Sequence, residues 1–475
     1  MLFRIRSLRL RSNHSAAGVY NLEVLTIQDD SFFTMSFFPW SEKSVFDFFV
    51  KMFLTYLIPT SATGGFIFLS IIGFVIYYII KLFHNQQSNA LEQVSRHSAV
   101  AKFDVLGENN LLDRLASRAR PNQRLILVFG INNSFTTMDQ NVHKNFTRSA
   151  LSVILRMSPQ NWLTFFTISE TALNEALRLD SASQDSVPLA VTVRFVVFAA
   201  MTYQFFDVNL GGSNFADVVE ATNAINNLWE QSKNIETIGP ELRNEQDHLE
   251  ASLRRLLPNH FPCSSEQHPL NTIIPAYETM WRVVLLTYVS AGFRDMDLET
   301  TQQFQEVIRN IPECFNSEPN CNIMDTAINF AKEGLRLYPP TKRIHRAVPN
   351  GQDGWSNVKA DVEWCHRERR IWGPDAEQFR PSRFRNNTEH MDEAYMPFGA
   401  GKHKCPTSAK FSYHAIIILV VALAKRLGTR ETGSKVVYND PRCDGDAKGL
   451  LPSGRKDMDG WVLEMNGVEW LGRAM

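Results

Sequence analysis

At 475 residues, with 44% hydrophobic side chains and a formal charge of −1, the chain can bury a large core, as one big mixed domain or as two ordinary ones. Balanced charge with no long basic or acidic block excludes a nucleic-acid footprint. Six cysteines (Cys263, Cys314, Cys321, Cys365, Cys405, Cys443) are too sparse for a disulfide scaffold and show no zinc-ligand spacing, which points to a reduced, cytosol-facing protein.

The N-terminal residues carry Arg4, Arg6, Arg9 and Arg11 with no acid before Glu23. That is the composition of a mitochondrial presequence, although a start at Met35 would remove it. The stretch VFDFFVKMFLTYLI is apolar but short and interrupted by Asp47 and Lys51, so it suits a helix lying in a membrane interface. No charge occurs between Met52 and Ile80, and residues 60–80 are apolar enough to form one transmembrane helix, anchored by Tyr77, Tyr78 and Lys81. The expected division is an extension over 1–59, a span over 60–80 and a catalytic domain over 85–475.

Beyond the span, RLILVFGINNSFTT reads as a strand or short helix ending in a turn. Val191 to Phe206 is apolar nearly all round and reads as a core helix. Helical patterns follow over Phe215–Lys233, Asn271–Val289, Thr301–Ile311 and Asn322–Leu337, whereas Pro339 to Phe384 has the Pro, Gly and Trp content of short strands and an irregular meander. Residues 450–470 read as a hairpin. The fold class is therefore mainly α with a small β portion.

Chemistry concentrates near the C-terminus. The run Phe398-Gly399-Ala400-Gly401-Lys402-His403-Lys404-Cys405-Pro406 leads into the apolar FSYHAIIILVVALAKRL. Gly399 and Gly401 permit tight turns, and Pro406 suits a first helical position, which would leave Cys405 at a helix N-terminus that favours thiolate. E-x-x-R occurs three times, at Glu306, Glu333 and Glu377, but only Glu333-Gly334-Leu335-Arg336 is followed by a proline stop, Tyr338-Pro339-Pro340.

The octet Phe398–Cys405, the Glu333–Arg336 pair and the meander Phe379-Arg380-Pro381-Ser382-Arg383-Phe384, in that spacing, resemble the cytochrome P-450 superfamily, in particular its fungal membrane-bound members. The resemblance implies the cytochrome P-450 fold and heme b (iron protoporphyrin IX) with Cys405 as axial thiolate. Phe398, Gly399, Gly401, His403 and Arg346 would bind the cofactor, and Glu333, Arg336 and Arg383 would form a structural network. Its oxygen-activating helix is matched by Pro275-Ala276-Tyr277-Glu278-Thr279-Met280, which makes Thr279 and Glu278 the catalytic pair and Pro275 a kink. The family's W-x-x-x-R is absent, leaving His143 or Arg148 to replace it, and Thr407 stands where Gly or Ala is usual.

The implied activity is monooxygenation, a hydroxylation or epoxidation of a lipophilic small molecule in secondary metabolism. Electrons would come from NADPH through a flavoprotein reductase docking near Lys402 and Lys404. The implied location is the endoplasmic reticulum membrane, with the catalytic domain facing the cytosol; the Arg-rich start offers the mitochondrion instead. Rival readings are a heme-thiolate isomerase or dehydratase that does not use dioxygen, and a degenerate heme-binding protein.

Overall fold

The computed structural model describes residues 62–179, 186–233, 239–315, 322–351, 354–408, 410–443 and 448–465. The expected extension 1–59 and the first residues of the expected span lie outside them. The chain divides into two units, Met1–Asn85 and Gln86–Met475. In the first, the described backbone is helical and belongs to the Ala62–Lys102 helix, and Tyr77 and Tyr78 are exposed.

The second unit is mainly helical. Its centre is built from the helices Leu189–Phe206, Met280–Phe293, Asn322–Leu337 and Phe411–Leu427, whose side chains merge into one apolar core. Two segments, Leu189–Phe206 and Phe411–Thr432, are long and apolar enough to cross a membrane, but 72% and 78% of their apolar windows are buried within the protein. They are core helices, as the all-round apolar pattern of the first predicts. The Asn322–Leu337 helix is amphipathic instead, burying Ala327, Phe330, Ala331, Gly334 and Leu335 on one face. Gly334 lets this helix touch its neighbour: a Cβ there would lie 1.9 Å from Thr287 Oγ1.

Strands are few. β1 (Ser186–Pro188), β4 (Lys435–Val437) and β5 (Val462–Glu464) form an antiparallel sheet in the order β1-β5-β4. The expected 450–470 hairpin does not form over its described part. Residues 450–461 are loop and turn, and the strand that follows pairs with two distant segments instead. A second sheet is the hairpin of β2 (Arg343–Pro349) and β3 (Trp355–Asp361), with Arg346 opposite Val358. Side chains alternate across a strand, so Arg346 shares the buried face with Ile344. A smaller core of Val94, Ile344, Val362, Cys365, Trp372, Phe384 and Met396 underlies this hairpin and the meander.

Two local readings sharpen and one is overturned. RLILVFG is helical over Gln123–Phe129 and ends at Gly130 in the left-handed conformation. Pro275 produces a π-helical turn, Ile274–Glu278, between the helices Leu270–Ile273 and Met280–Phe293. Cys314 is disulfide-bonded, against the expectation of a wholly reduced chain.

Candidate active site

The cysteine loop bridges the two cores, with Phe398 packed on the larger and Ala400 on the smaller. Gly399 and Gly401 both have positive φ, 71° and 68°. A Cβ on Gly401 would also come within 3.1 Å of the Lys102 backbone, so both positions need glycine. The turn closes through the Cys405 N–H, which donates to the Phe398 carbonyl at 3.0 Å.

The surroundings of Cys405 differ from the expected helix N-terminus. Pro406 opens only a single 3₁₀ turn, Pro406–Ser408, and the long helix starts at Phe411. Thr407 approaches the sulfur through its backbone and through its side chain, Oγ1 at 3.0 Å, to which Ser412 Oγ donates at 2.8 Å. Burial raises the Cys405 pKa, opposed by hydrogen bonds from Thr407 and by the Lys404 charge. Burial outweighs them, and a neighbouring positive charge such as a bound metal ion would favour the thiolate.

Next to the loop lies a cluster of cationic side chains. Arg114 and Arg118 stand at i and i+4 on the Leu111–Ala119 helix, which Asn110 and Asp113 cap reciprocally. Arg114 Nε donates to His403 Nε2 at 3.1 Å and is itself held by Asn109. His403 Nε2 is thus an acceptor, and Nδ1 carries the proton. Burial and then the charge of Arg118 pull the His403 pKa down to about 3, so the ring is neutral at neutral pH. His143 contacts Ser134 Oγ at 2.6 Å and Arg118 at 3.4 Å. Arg346 stacks over Phe103, 4.0 Å from its centroid, and the His403 ring packs against the same phenylalanine. Phe103 has φ 71°, an uncommon conformation for a bulky side chain.

Arg118 and Arg346 are 6% and 7% exposed, and their Nε–H groups have no acceptor among the described residues. Nor does any ion pair there join Arg114, Arg118, His143, Arg346 or His403 to an acid. Burial lowers Arg118 to about 10, and burial with the Arg118 charge lowers Arg346 to about 9. Two buried guanidiniums without counter-charges are costly, and a ligand bearing two carboxylates supplies what they lack. Of the two substitutes considered for the absent W-x-x-x-R, His143 is in the cluster, whereas Arg148 is exposed. Arg114 and Arg118 went unread in the sequence; their i, i+4 spacing in LLDRLASRAR was the available signal.

Behind the loop, Glu333 and Arg336 are fully buried and form a bidentate pair at 2.7 and 2.8 Å, while Arg383 Nε donates to Glu333 at 3.0 Å. Glu333 faces both guanidiniums, Asp375 lies 3.6 Å from Arg383, and the carbonyls of His366, Trp372, Asp375 and Ala376 accept from the remaining N–H groups. The other two E-x-x-R matches are superficial: Glu306 and Arg309 are exposed, and Glu377 pairs with Arg369 instead. His366, also missed in the sequence, ties the network to the loop. Its Nδ1 hydrogen-bonds the Arg336 carbonyl at 3.1 Å, and its Nε2 accepts from the Met396 N–H at 3.0 Å.

Thr279 and Glu278 flank the end of the π turn. The Thr279 hydroxyl donates to the Pro275 carbonyl at 2.7 Å. Glu278, 1% exposed, pairs with Arg455 at 2.5 Å and with Arg282 at 3.5 Å. Arg455 comes from the C-terminal loop and stacks on Trp229 at 4.4 Å, so the carboxylate is held by that loop.

A family model described as cytochrome P-450 matches residues 304–407. A cytochrome P-450 of Arabidopsis thaliana is 28% identical over 159 residues, 30% of this chain and 29% of its own. A cytokinin hydroxylase of the same plant is 32% identical over 112 residues, 21% of each chain. The chain thus spans less than a third of the length of the curated relatives it matches. A solved cytochrome P-450 of Thermus thermophilus is similar over 74% of this chain and 90% of its own, at 16% identity and a TM-score of 0.48. The matched stretch 304–407 holds Arg346, the Glu333–Arg336–Arg383 network and the cysteine loop through Thr407, and over that stretch the chain is similar to the cytochrome P-450 family.

Proposed function

We propose that the chain is a heme-dependent monooxygenase that inserts one oxygen atom from dioxygen into a lipophilic small molecule, by hydroxylation or epoxidation, with Cys405 as the axial thiolate. The observation that carries the reading is the acid-free cation cluster beside the cysteine loop: two buried guanidiniums, each with an unpartnered Nε–H among the described residues, fit the two carboxylates of heme b. When bound, the heme supplies reductive activation of dioxygen, for which a thiolate ligand favours O–O cleavage. Arg118 and Arg346 would hold its carboxylates, with Arg114 and the Nδ1–H of His403 completing the set. Phe398, Gly399 and Gly401 shape the loop that presents sulfur, while Glu333, Arg336 and Arg383 brace it. Thr279 and Glu278 are the candidate proton carriers, and Glu278 would have to exchange its Arg455 partner to act.

The same reading includes electrons from NADPH through a flavoprotein reductase, docking where Lys402 and Lys404 are exposed. It places residues 85–475 as a catalytic domain facing the cytosol and residues 60–80 as an anchor in lipid of the endoplasmic reticulum, working in secondary metabolism. The engagement of Glu278 by Arg455 and Arg282 favours one rival, a heme-thiolate isomerase that needs no proton relay; turnover that persists without reductase and NADPH identifies it.

The test is the carbon monoxide difference spectrum of the reduced protein, wild type beside Cys405→Ser. A strongly red-shifted Soret band present in the first and lost in the second is expected. A heme band without that shift in the wild type, or no heme in folded protein, overturns the reading. Arg118→Met and Arg346→Met are each expected to speed heme loss to a scavenging globin by roughly tenfold or more, since a hydrogen bond to a charged partner contributes about 1.5–3 kcal/mol. Arg148→Met, altering an exposed side chain, is expected to leave that rate unchanged.

A further inference from the structure

We infer that Thr407 and Ser412 form a hydroxyl relay that sets how much electron density Cys405 gives to the heme iron. The inference rests on the heme-thiolate reading above and deepens it. Thr407 Oγ1 lies 3.0 Å from Cys405 Sγ, and Ser412 Oγ donates to that same oxygen at 2.8 Å. A thiolate carries no proton, so in the heme-bound form the Thr407 hydroxyl is the donor to sulfur, while its oxygen accepts from Ser412. The chain runs from the Ser412 hydroxyl through the Thr407 hydroxyl to Sγ, each bond polarising the next.

Both donors sit on ordered structure. Thr407 is the middle residue of the Pro406–Ser408 turn, and Ser412, 5% exposed, opens the helix Phe411–Leu427. Glycine or alanine at 407 would leave sulfur without this donor and Ser412 without its acceptor. A hydrogen bond to a thiolate withdraws charge from sulfur. In the ferrous state the iron draws less on the ligand, more charge stays on sulfur, and the bond is stronger. The relay therefore favours reduction and raises the iron's potential. Thr407 and Ser412 act through Cys405, so they are positioning residues.

The experiment uses the heme-loaded protein, once the wild type has shown the thiolate-type carbon monoxide band. Thr407→Val keeps the bulk and removes the hydroxyl. It is expected to shift the one-electron equilibrium towards ferric iron by roughly tenfold, about 59 mV, and to lower the C–O stretching frequency of the ferrous complex. Thr407→Ser should restore both, and Ser412→Ala should move both the same way by less. An unchanged midpoint and C–O frequency in Thr407→Val, with the thiolate band intact, overturns the relay and leaves the heme-thiolate reading standing. Absence of that band from the wild type overturns both. Should Thr407→Val fail to hold heme, Ser412→Ala decides: a negative shift supports the relay, and a midpoint equal to wild type overturns it.

Discussion

Glu333→Gln is expected to lower the free energy of unfolding by roughly 3–5 kcal/mol, the range found when one partner of a buried ion pair is removed. The substitution preserves size but puts an amide NH2 donor where a carboxylate oxygen accepts from N–H groups, so the loss combines the missing charge with a mispaired donor. It leaves Arg336, fully buried, and Arg383, 6% exposed, with no carboxylate in bidentate or direct contact except Asp375, 3.6 Å from Arg383. The carbonyls that solvate the two guanidiniums come from the segment 366–378, so repulsion there should loosen the meander before the helices. Glu306→Gln, in the exposed E-x-x-R match, is the control and should stay within about 0.5 kcal/mol. Urea unfolding of the two variants compares them directly. Equal midpoints would mean that the buried network is as dispensable as a surface pair.

That contrast also shows what a sequence can disclose. The Glu333–Arg336 pair, the meander Arg383 and the cysteine loop were legible because each sits in a short pattern that resembles a superfamily motif and carries its own proline or glycine punctuation. Mainly helical architecture followed from apolar periodicity. Arg114 was not legible, because its partner His403 lies 289 positions away and no local spacing announces the pairing. His366 was missed for a related reason. One histidine in a meander carries no pattern until the strand hairpin and the Asn322–Leu337 helix bring Arg336 and Met396 to its two nitrogens.

The catalytic pair illustrates a different limit. Glu278 and Thr279 stand out by resemblance to the superfamily's acid–alcohol motif, and Pro275 does open the backbone beside them. The ion pairs to Arg282 and Arg455 arise from a helical turn and from a C-terminal loop, and the second could not be read from the neighbourhood of Glu278. The loop holding Arg455 was expected to be a hairpin. Its strand, β5, pairs instead with β1 and β4, because the partners that complete its hydrogen bonds lie elsewhere in the chain.

His366 should contribute a full share of the protein's acid lability, beside His403 and His414. Its ring is fully buried, and burial, then the Arg336 charge, depresses its pKa to about 3 from an ordinary 6.5. Between those values the unfolded chain binds a proton that the folded chain refuses, so stability rises with pH across this window. The contribution is complete above about pH 6.5 and is lost progressively as pH falls towards 3, by up to roughly 1.4 kcal/mol per pH unit. Protonation would also remove the acceptor for the Met396 N–H, which stands two residues before Phe398 at the head of the cysteine loop. Unfolding free energies measured from pH 7 to 4.5 should therefore fall more steeply in the wild type than in His366→Asn, the slopes differing by close to one proton. Asn at 366 should cost stability at pH 7, because it cannot satisfy both Arg336 and Met396, yet lose less on acidification. Parallel slopes would assign the acid lability to other groups, His414 among them, whose pKa burial lowers to about 4.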